Sequence, residues 1–139
     1  MDVSSAERGG ASSSTPFCFG RSLSSAQANF KGAWPYGGAE EGPRLGRTCP
    51  AGSYRPNAFG VFDLHGNVWE WCQDWFDEDY YGNSPAQDPT GPPDGSDRVI
   101  RGGGWYEGGS GCRAACRAGG SPSLRNYGMG FRVAAVPRV

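Results

Sequence analysis

Asn57-Ala-Phe-Gly-Val-Phe-Asp-Leu-His-Gly-Asn-Val-Trp-Glu-Trp-Cys72 opens the densest apolar region of the chain, which runs on to Phe76. Within it Val68-Trp-Glu-Trp-Cys72 alternates with period two, as a half-buried strand does, with Trp69 and Trp71 on one face and Glu70 on the other. Bulky aromatic side chains pack well on a pleated surface, so the stretch predicts a central strand. Residues 98–101 and 130–136 read as further strands, and Trp105, Phe131 and Val133 are expected to point inward. Long loops separate these strands. Residues 77–97 hold Pro85, Pro89, Pro92 and Pro93. Residues 15–56 alternate aromatic groups with turn signals such as Trp34-Pro-Tyr-Gly-Gly38. Only residues 24–30 offer a short helix there, and Phe17, Phe19, Phe30, Trp34 and Tyr54 are the expected pins. Residues 1–14, rich in Ser, Gly and Ala, read as a flexible leader, which leaves residues 15–139 as a single domain. The fold class is α+β, with short strands, long ordered loops and little helix.

A length of 139 residues suits one domain with one modest core. Gly accounts for 24 residues and Pro for 11; Gly is ordinarily ~7% of a chain, and both residues disfavour long helices. Five Trp, six Tyr and seven Phe set the composition apart from that of a disordered chain. A net charge of −1 without a basic block disfavours binding nucleic acid or an anionic membrane through a charged face. No apolar run nears the ~18 residues of a membrane span. No signal-peptide pattern is visible, so the compartment stays open, and surface display by another route is compatible. Five Cys without a Cys-x-x-Cys pair, and a single His, give no zinc spacing. Their odd number leaves at least one thiol free. Reduced thiols are the default, and one disulfide is the alternative.

The 57–72 stretch closely resembles the signature segment of the formylglycine-generating enzyme (sulfatase-modifying factor) family. Arg101-Gly-Gly-Gly-Trp105, Cys112-Arg113 and Gly130-Phe-Arg132 resemble its C-terminal blocks, and Arg8-Gly-Gly10, Thr15-Pro-Phe17 and Ala28-Asn29 match weaker positions. The resemblance covers about residues 6–136 and has no counterpart of the family's N-terminal half. It implies a C-type-lectin-like fold of the formylglycine-generating-enzyme subclass.

Two chemistries follow from the residues and the resemblance together. Asp63, Gly66, Val68 and Glu70 offer two carboxylates and two backbone carbonyls within eight residues, an all-oxygen set that suits Ca²⁺ over Mg²⁺. The corresponding positions bind Ca²⁺ in the family's enzymes. The alternative is that Arg partners or backbone N–H groups satisfy Asp63 and Glu70. The resemblance also implies a copper-binding pair of reactive cysteines between the Arg-Gly-Gly and Cys-Arg blocks. The matching interval here, residues 104–111, contains no Cys. Cys112 and Cys116 remain, and on a strand they would stand about 13 Å apart, too far for a two-sulfur Cu(I) site, so no copper is expected. His65 is expected as a loop residue beside the cation site. A lone His supplies no Ser-His-Asp set, and Gly102-Gly103-Gly104 lacks the Lys of a phosphate loop. No catalytic residue is therefore assigned. An oxidase acting on a cysteine peptide, or a structural accessory module, is the alternative that the resemblance keeps open.

Residues 106–128 are made almost wholly of Gly, Ser, Ala, Asn, Tyr and Arg. Set between the frame blocks, they resemble the variable segment of proteins diversified by diversity-generating retroelements, in which adenine mutation of Asn codons yields residues such as Tyr, Ser, Gly, Ala, Cys, Asp and Leu. Tyr106, Gly108, Ser110, Cys116, Ala118, Gly119, Gly120, Leu124, Asn126, Tyr127 and Gly128 fit that pattern and are the expected ligand contacts; Glu107 and Met129 do not fit. Tyr gives large contact area at low entropy cost, and Gly, Ser and Asn adapt around it. Arg113, Arg117 and Arg125 add charge, with Arg113 and Arg132 also suited to holding loop carbonyls. The expected function is a non-catalytic, receptor-type binding domain for a protein or other macromolecule.

Overall fold

The computed structural model describes residues 15–87 and 89–133. A four-stranded sheet organises them, in the order β3-β2-β1-β4. The strands are β1 (Trp69–Trp75), β2 (Arg98–Arg101), β3 (Arg117–Gly120) and β4 (Met129–Gly130). β2 runs antiparallel to β1, with Trp71 opposite Ile100, and β3 runs antiparallel to β2, with Val99 opposite Gly119. β4 lies parallel to β1 on the other edge. Among the described residues the only helix is one turn, α1 (Tyr80–Asn83). The α+β reading with short strands and long loops therefore holds. The expected leader, 1–14, lies outside the described residues, as do residues 134–136 of the expected last strand.

The core sits mostly under the loops. Phe17, Leu23, Ala28, Phe30 and Cys112 form one buried cluster, with Phe19 and Tyr36 packed against it. Leu64, Trp69, Val99 and Ile100 are buried nearer the sheet. His65, only 4% exposed, ties the first cluster together. Its Nε2 accepts the Cys18 N–H (3.0 Å) and its Nδ1 lies 2.7 Å from the Cys112 carbonyl oxygen. The first bond leaves the proton on Nδ1, which donates to Cys112. The ring also meets Phe17 edge-on at 5.3 Å. His65 is thus a strut of the core, which goes beyond the expected loop position.

Three expectations are corrected. Residues 24–30 form a turn, not a helix. Gln27 N–H reaches the Ser24 carbonyl, but Asn29 then leaves the helical path to bridge Gly66 in parallel. Gly66 is indispensable there: its φ is +77° and a Cβ would stand 2.3 Å from the Asn29 carbonyl oxygen. Trp34 is no pin; it is 61% exposed, with the Lys31 ammonium 4.3 Å from its ring centre. Phe131 and Val133, expected inward, are 78% and 85% exposed, because regular pairing stops at Gly130.

Candidate ligand-binding face

Beyond the end of β2, the backbone of Trp105 is held by its N–H to the Asn67 carbonyl (2.9 Å). This places three rings in mutual contact. Trp105 meets Tyr106 edge-on at 5.4 Å, and Tyr127 leans on both at 5.7 Å and 6.5 Å. Tyr127 is 77% exposed while Trp105 and Tyr106 are half-buried. The trio is therefore anchored at one end and open at the other. The sequence joins these rings only through their flanking blocks, since 21 positions separate Tyr106 from Tyr127 and their contact depends on the return of the chain at β4.

The other expected contacts divide by environment. Ser110, Leu124 and Asn126 are exposed. The Asn126 Oδ1 accepts the Gly128 N–H (2.8 Å), which shapes the turn beneath Tyr127. Gly108 rests against Trp34, and Cys116 is half-buried at the end of a turn closed by its N–H to the Arg113 carbonyl. Ala118, Gly119 and Gly120 lie in β3, where a Cβ on Gly119 would stand 2.8 Å from Phe76 and one on Gly120 would stand 3.0 Å from Trp71. Gly128 is buried beneath Tyr106, whose Cε1 would be 2.2 Å from an added Cβ. The stretch thus carries both an open surface and part of the frame. Glu107 and Met129, which break the diversified pattern, both belong to the frame. The Glu107 carboxylate accepts the Trp69 indole N–H (3.4 Å) and its carbonyl the Lys31 N–H (2.9 Å). Met129 pairs with Trp69 across β4 and β1.

The arginines are held by the protein. Arg113 donates to the Ser110 carbonyl (3.0 Å). Arg117 donates to the Asp77 carbonyl (2.7 Å) and stacks on Phe76 and Tyr81. Arg132 grips both Glu70 oxygens, at 2.9 Å and 2.7 Å, and donates to the Phe62 carbonyl.

That grip bears on the expected cation ligands. Glu70 is engaged by Arg132, and Asp63 accepts the Gly52 N–H (2.6 Å) through Oδ2. Asp63 and Asn67 both adopt left-handed backbone, φ 55° and 65°, which Asp and Asn tolerate better than most residues. Among the described residues no three His, Cys, Asp or Glu side chains are grouped to hold a metal ion. The expected Ca²⁺ ligands are Asp63, Gly66, Val68 and Glu70, and an ion held by them would compete with Arg132 for Glu70.

Cys18, Cys49, Cys112 and Cys116 carry free thiols. Cys112 is fully buried, and burial, with the Glu107 carboxylate next, pushes its thiol up to about 12. Burial also raises Cys116 above its ordinary value. Residues 112–116 form a succession of turns rather than the strand assumed in the spacing estimate. A protonated, sealed thiol is poorly placed as a nucleophile or soft-metal ligand.

A second concavity opens beside this face. A cleft of about 660 Å³ lies between β1, β4 and the 121–126 loop, with Trp71, Arg98, Leu124, Arg125 and Phe131 in its lining. Nothing in the sequence marks Arg98 or Phe131 for such a role, since one stands at a strand end and the other in a frame block expected to face inward.

Known proteins match this architecture. The model of the sulfatase-modifying factor enzyme 1-like domain matches residues 2–136. The formylglycine-generating enzyme of Streptomyces coelicolor is 43% identical over 108 residues, 76% of this chain and 34% of that protein. A serine/threonine-protein kinase of Chlamydia trachomatis is 43% identical over 89 residues, 63% of this chain and 14% of that protein. The structure of PvdO from Pseudomonas aeruginosa superposes with a TM-score of 0.71 at 34% identity, over 94% of this chain and 49% of that one. Treponema denticola variable protein 1 superposes with a TM-score of 0.56 at 40% identity, over 61% of this chain and 31% of that one. The chain thus spans about a third of the Streptomyces enzyme's length. The fold is the C-type-lectin-like one of the formylglycine-generating-enzyme subclass.

Proposed function

The chain belongs to the sulfatase-modifying factor enzyme 1-like domain family, and we propose that within that family it is a non-catalytic, receptor-type binding domain. The proposed face comprises Tyr106 and Tyr127 together with the exposed Ser110, Leu124 and Asn126. The observation that carries this reading is the Trp105–Tyr106–Tyr127 trio, anchored on the frame at Trp105 and 77% exposed at Tyr127. Aromatic anchors with small polar neighbours are how protein-binding loops gain contact area at low entropic cost. The partner is a protein or other macromolecule. Nucleic acid is disfavoured by a net charge of −1. Among the described residues no helix is long and apolar enough to cross a membrane.

The finer proposal is that the face is diversified as in retroelement variable proteins. It is supported by the likeness to Treponema denticola variable protein 1. It is also supported by the two pattern-breaking residues, Glu107 and Met129, each being bound into the frame. The test is the DNA beside the coding sequence. A near-repeat of the codons for residues 105–132, next to a reverse-transcriptase gene, is expected, and a locus with neither would sink the diversification reading.

The match to a formylglycine-generating enzyme supports a second reading, an oxidase acting on a cysteine peptide. The absence of Cys from residues 104–111 and the sealing of Cys112 weigh against it. Incubation with Cu(I), oxygen and a cysteine peptide is expected to leave the peptide unchanged by mass spectrometry. Conversion that disappears in Cys112→Ser or Cys116→Ser would overturn the binding-domain proposal.

A further inference from the structure

We infer that the cleft beside β1 binds an anionic group carried on a flat apolar body, such as an aromatic carboxylate. The inference rests on the ligand-binding reading and adds to it a class of ligand. At about 660 Å³ the cleft falls within the size range of small-ligand sites, ~300–1,000 Å³. Trp71, Leu124, Met129 and Phe131 make its walls apolar, and Arg98 and Arg125 are the charged groups in its lining, with no carboxylate among them. A ligand therefore meets flat hydrophobic surface and positive charge together.

Both guanidinium groups already carry contacts that orient them. Arg98 lies over the Trp75 ring, 3.4 Å from its centre, and donates through Nη1 to the Gln73 carbonyl. Arg125 donates through Nη1 to the Pro122 and Leu124 carbonyls, at 2.9 Å and 3.0 Å. These bonds occupy one nitrogen of each fork, and a guanidinium has five N–H donors. The ion pair found among the described residues, Arg132–Glu70, involves neither arginine. Arg98 comes from the sheet and Arg125 from the loop, so a carboxylate held by both would tie the loop to the sheet. Preorganised forks of this kind recognise carboxylates better than cations or neutral amides.

The probe is naphthalene-2-carboxylate, with naphthalene-2-carboxamide as its neutral match, titrated into ¹⁵N-labelled protein. The carboxylate is expected to move the Trp71 indole and Gly130 amide signals, and to bind about tenfold more tightly than the amide, as one charge-assisted contact implies. Arg125→Gln, on an exposed loop, is expected to erase most of that preference while leaving the melting temperature unchanged. Equal affinity for the two probes, or no movement at Trp71, would overturn the inference. Tyr127→Ala separates it from the reading on which it rests. Unchanged carboxylate binding in that variant supports the cleft, whereas loss of binding, or signals moving at Trp105 in place of Trp71, refutes the cleft and leaves the aromatic face standing.

Discussion

His65 reaches partners 47 positions away in both directions, Cys18 and Cys112. Burial holds its pKa below the ordinary 6.5, against the Cys112 carbonyl, which favours the charged form. In the unfolded chain the ring takes up a proton near pH 6.5; in the folded chain it refuses one until lower pH. Its contribution to stability is therefore complete above about pH 6.5 and is lost as pH falls from there toward the folded value, at no more than ~1.4 kcal/mol per pH unit. Urea melts from pH 7.5 to 5 are expected to show this slope in the native chain and to lose it in His65→Gln. Equal slopes would mean that the ring is not the titrating group. Nothing in the sequence announced this role, because both partners are backbone groups and backbone carries no residue code. The Glu70–Arg132 pair was half legible, since an arginine partner for Glu70 stood beside Ca²⁺ as an alternative. With both Glu70 oxygens already held, Arg132→Gln is expected to cost about 1–3 kcal/mol, more than treatment with EDTA. A larger fall in melting temperature with EDTA would make calcium the principal cation of this site.

At the scale of elements, β1 was readable because its aromatic residues recur with a period of two, and β2 because the adjacent β-branched Val99 and Ile100 favour a strand. β3 was not, because Arg117-Ala-Gly-Gly120 has little strand propensity of its own. It forms through its ladder with β2 and because glycine lets Phe76 and Trp71 approach its backbone closely. The turn at 24–30 failed as a helix for the converse reason: Asn29 Nδ2 donates to the Arg47 carbonyl and to Asn67 Oδ1, bonds that a helix would forgo. Close approach also governs the base of the aromatic trio, where an added Cβ on Gly128 would come within 2.2 Å of Tyr106. Gly128→Ala is therefore expected to destabilise the domain by about 1–3 kcal/mol through overpacking. The cost should fall by at least half in a Tyr106→Ser background, since removing the ring removes the clash. A double-mutant cycle by chemical denaturation measures it, and additive costs would show that Gly128 is needed for its backbone rather than for its neighbour.

Across the whole molecule, the core and the face are built largely from different stretches of chain, with Cys112 the residue that joins them. The buried cluster comes from residues 17–30 and Cys112, whereas the exposed groups come from residues 106–127. Local apolar density misplaced this centre: Phe59 and Phe62, in the stretch richest in apolar residues, are 67% and 41% exposed, while Phe17, in a segment read as loop, is fully buried. Loop burial depends on which segments meet, and a local pattern does not encode that. The separation has a measurable consequence. Ser110→Asn, Leu124→Ser, Asn126→Ser and Tyr127→Ser together touch only exposed side chains, and Ser at position 126 keeps an acceptor for the Gly128 N–H. The combined variant is expected to stay within about 1 kcal/mol of the parent, because substitutions at exposed sites are usually worth ~0.5 kcal/mol or less each and fall on either side of zero. Phe17→Ala alone should cost about 3–5 kcal/mol, because the Phe17 ring is enclosed by the cluster and leaves a cavity. Thermal and urea unfolding of the two variants side by side reads the difference. If the fourfold surface variant loses cooperative unfolding while Phe17→Ala retains it, residues 106–128 are core and cannot serve as an exchangeable face. If the order is as expected, the frame holds whatever those four positions carry, which is the property that a receptor with a variable surface requires.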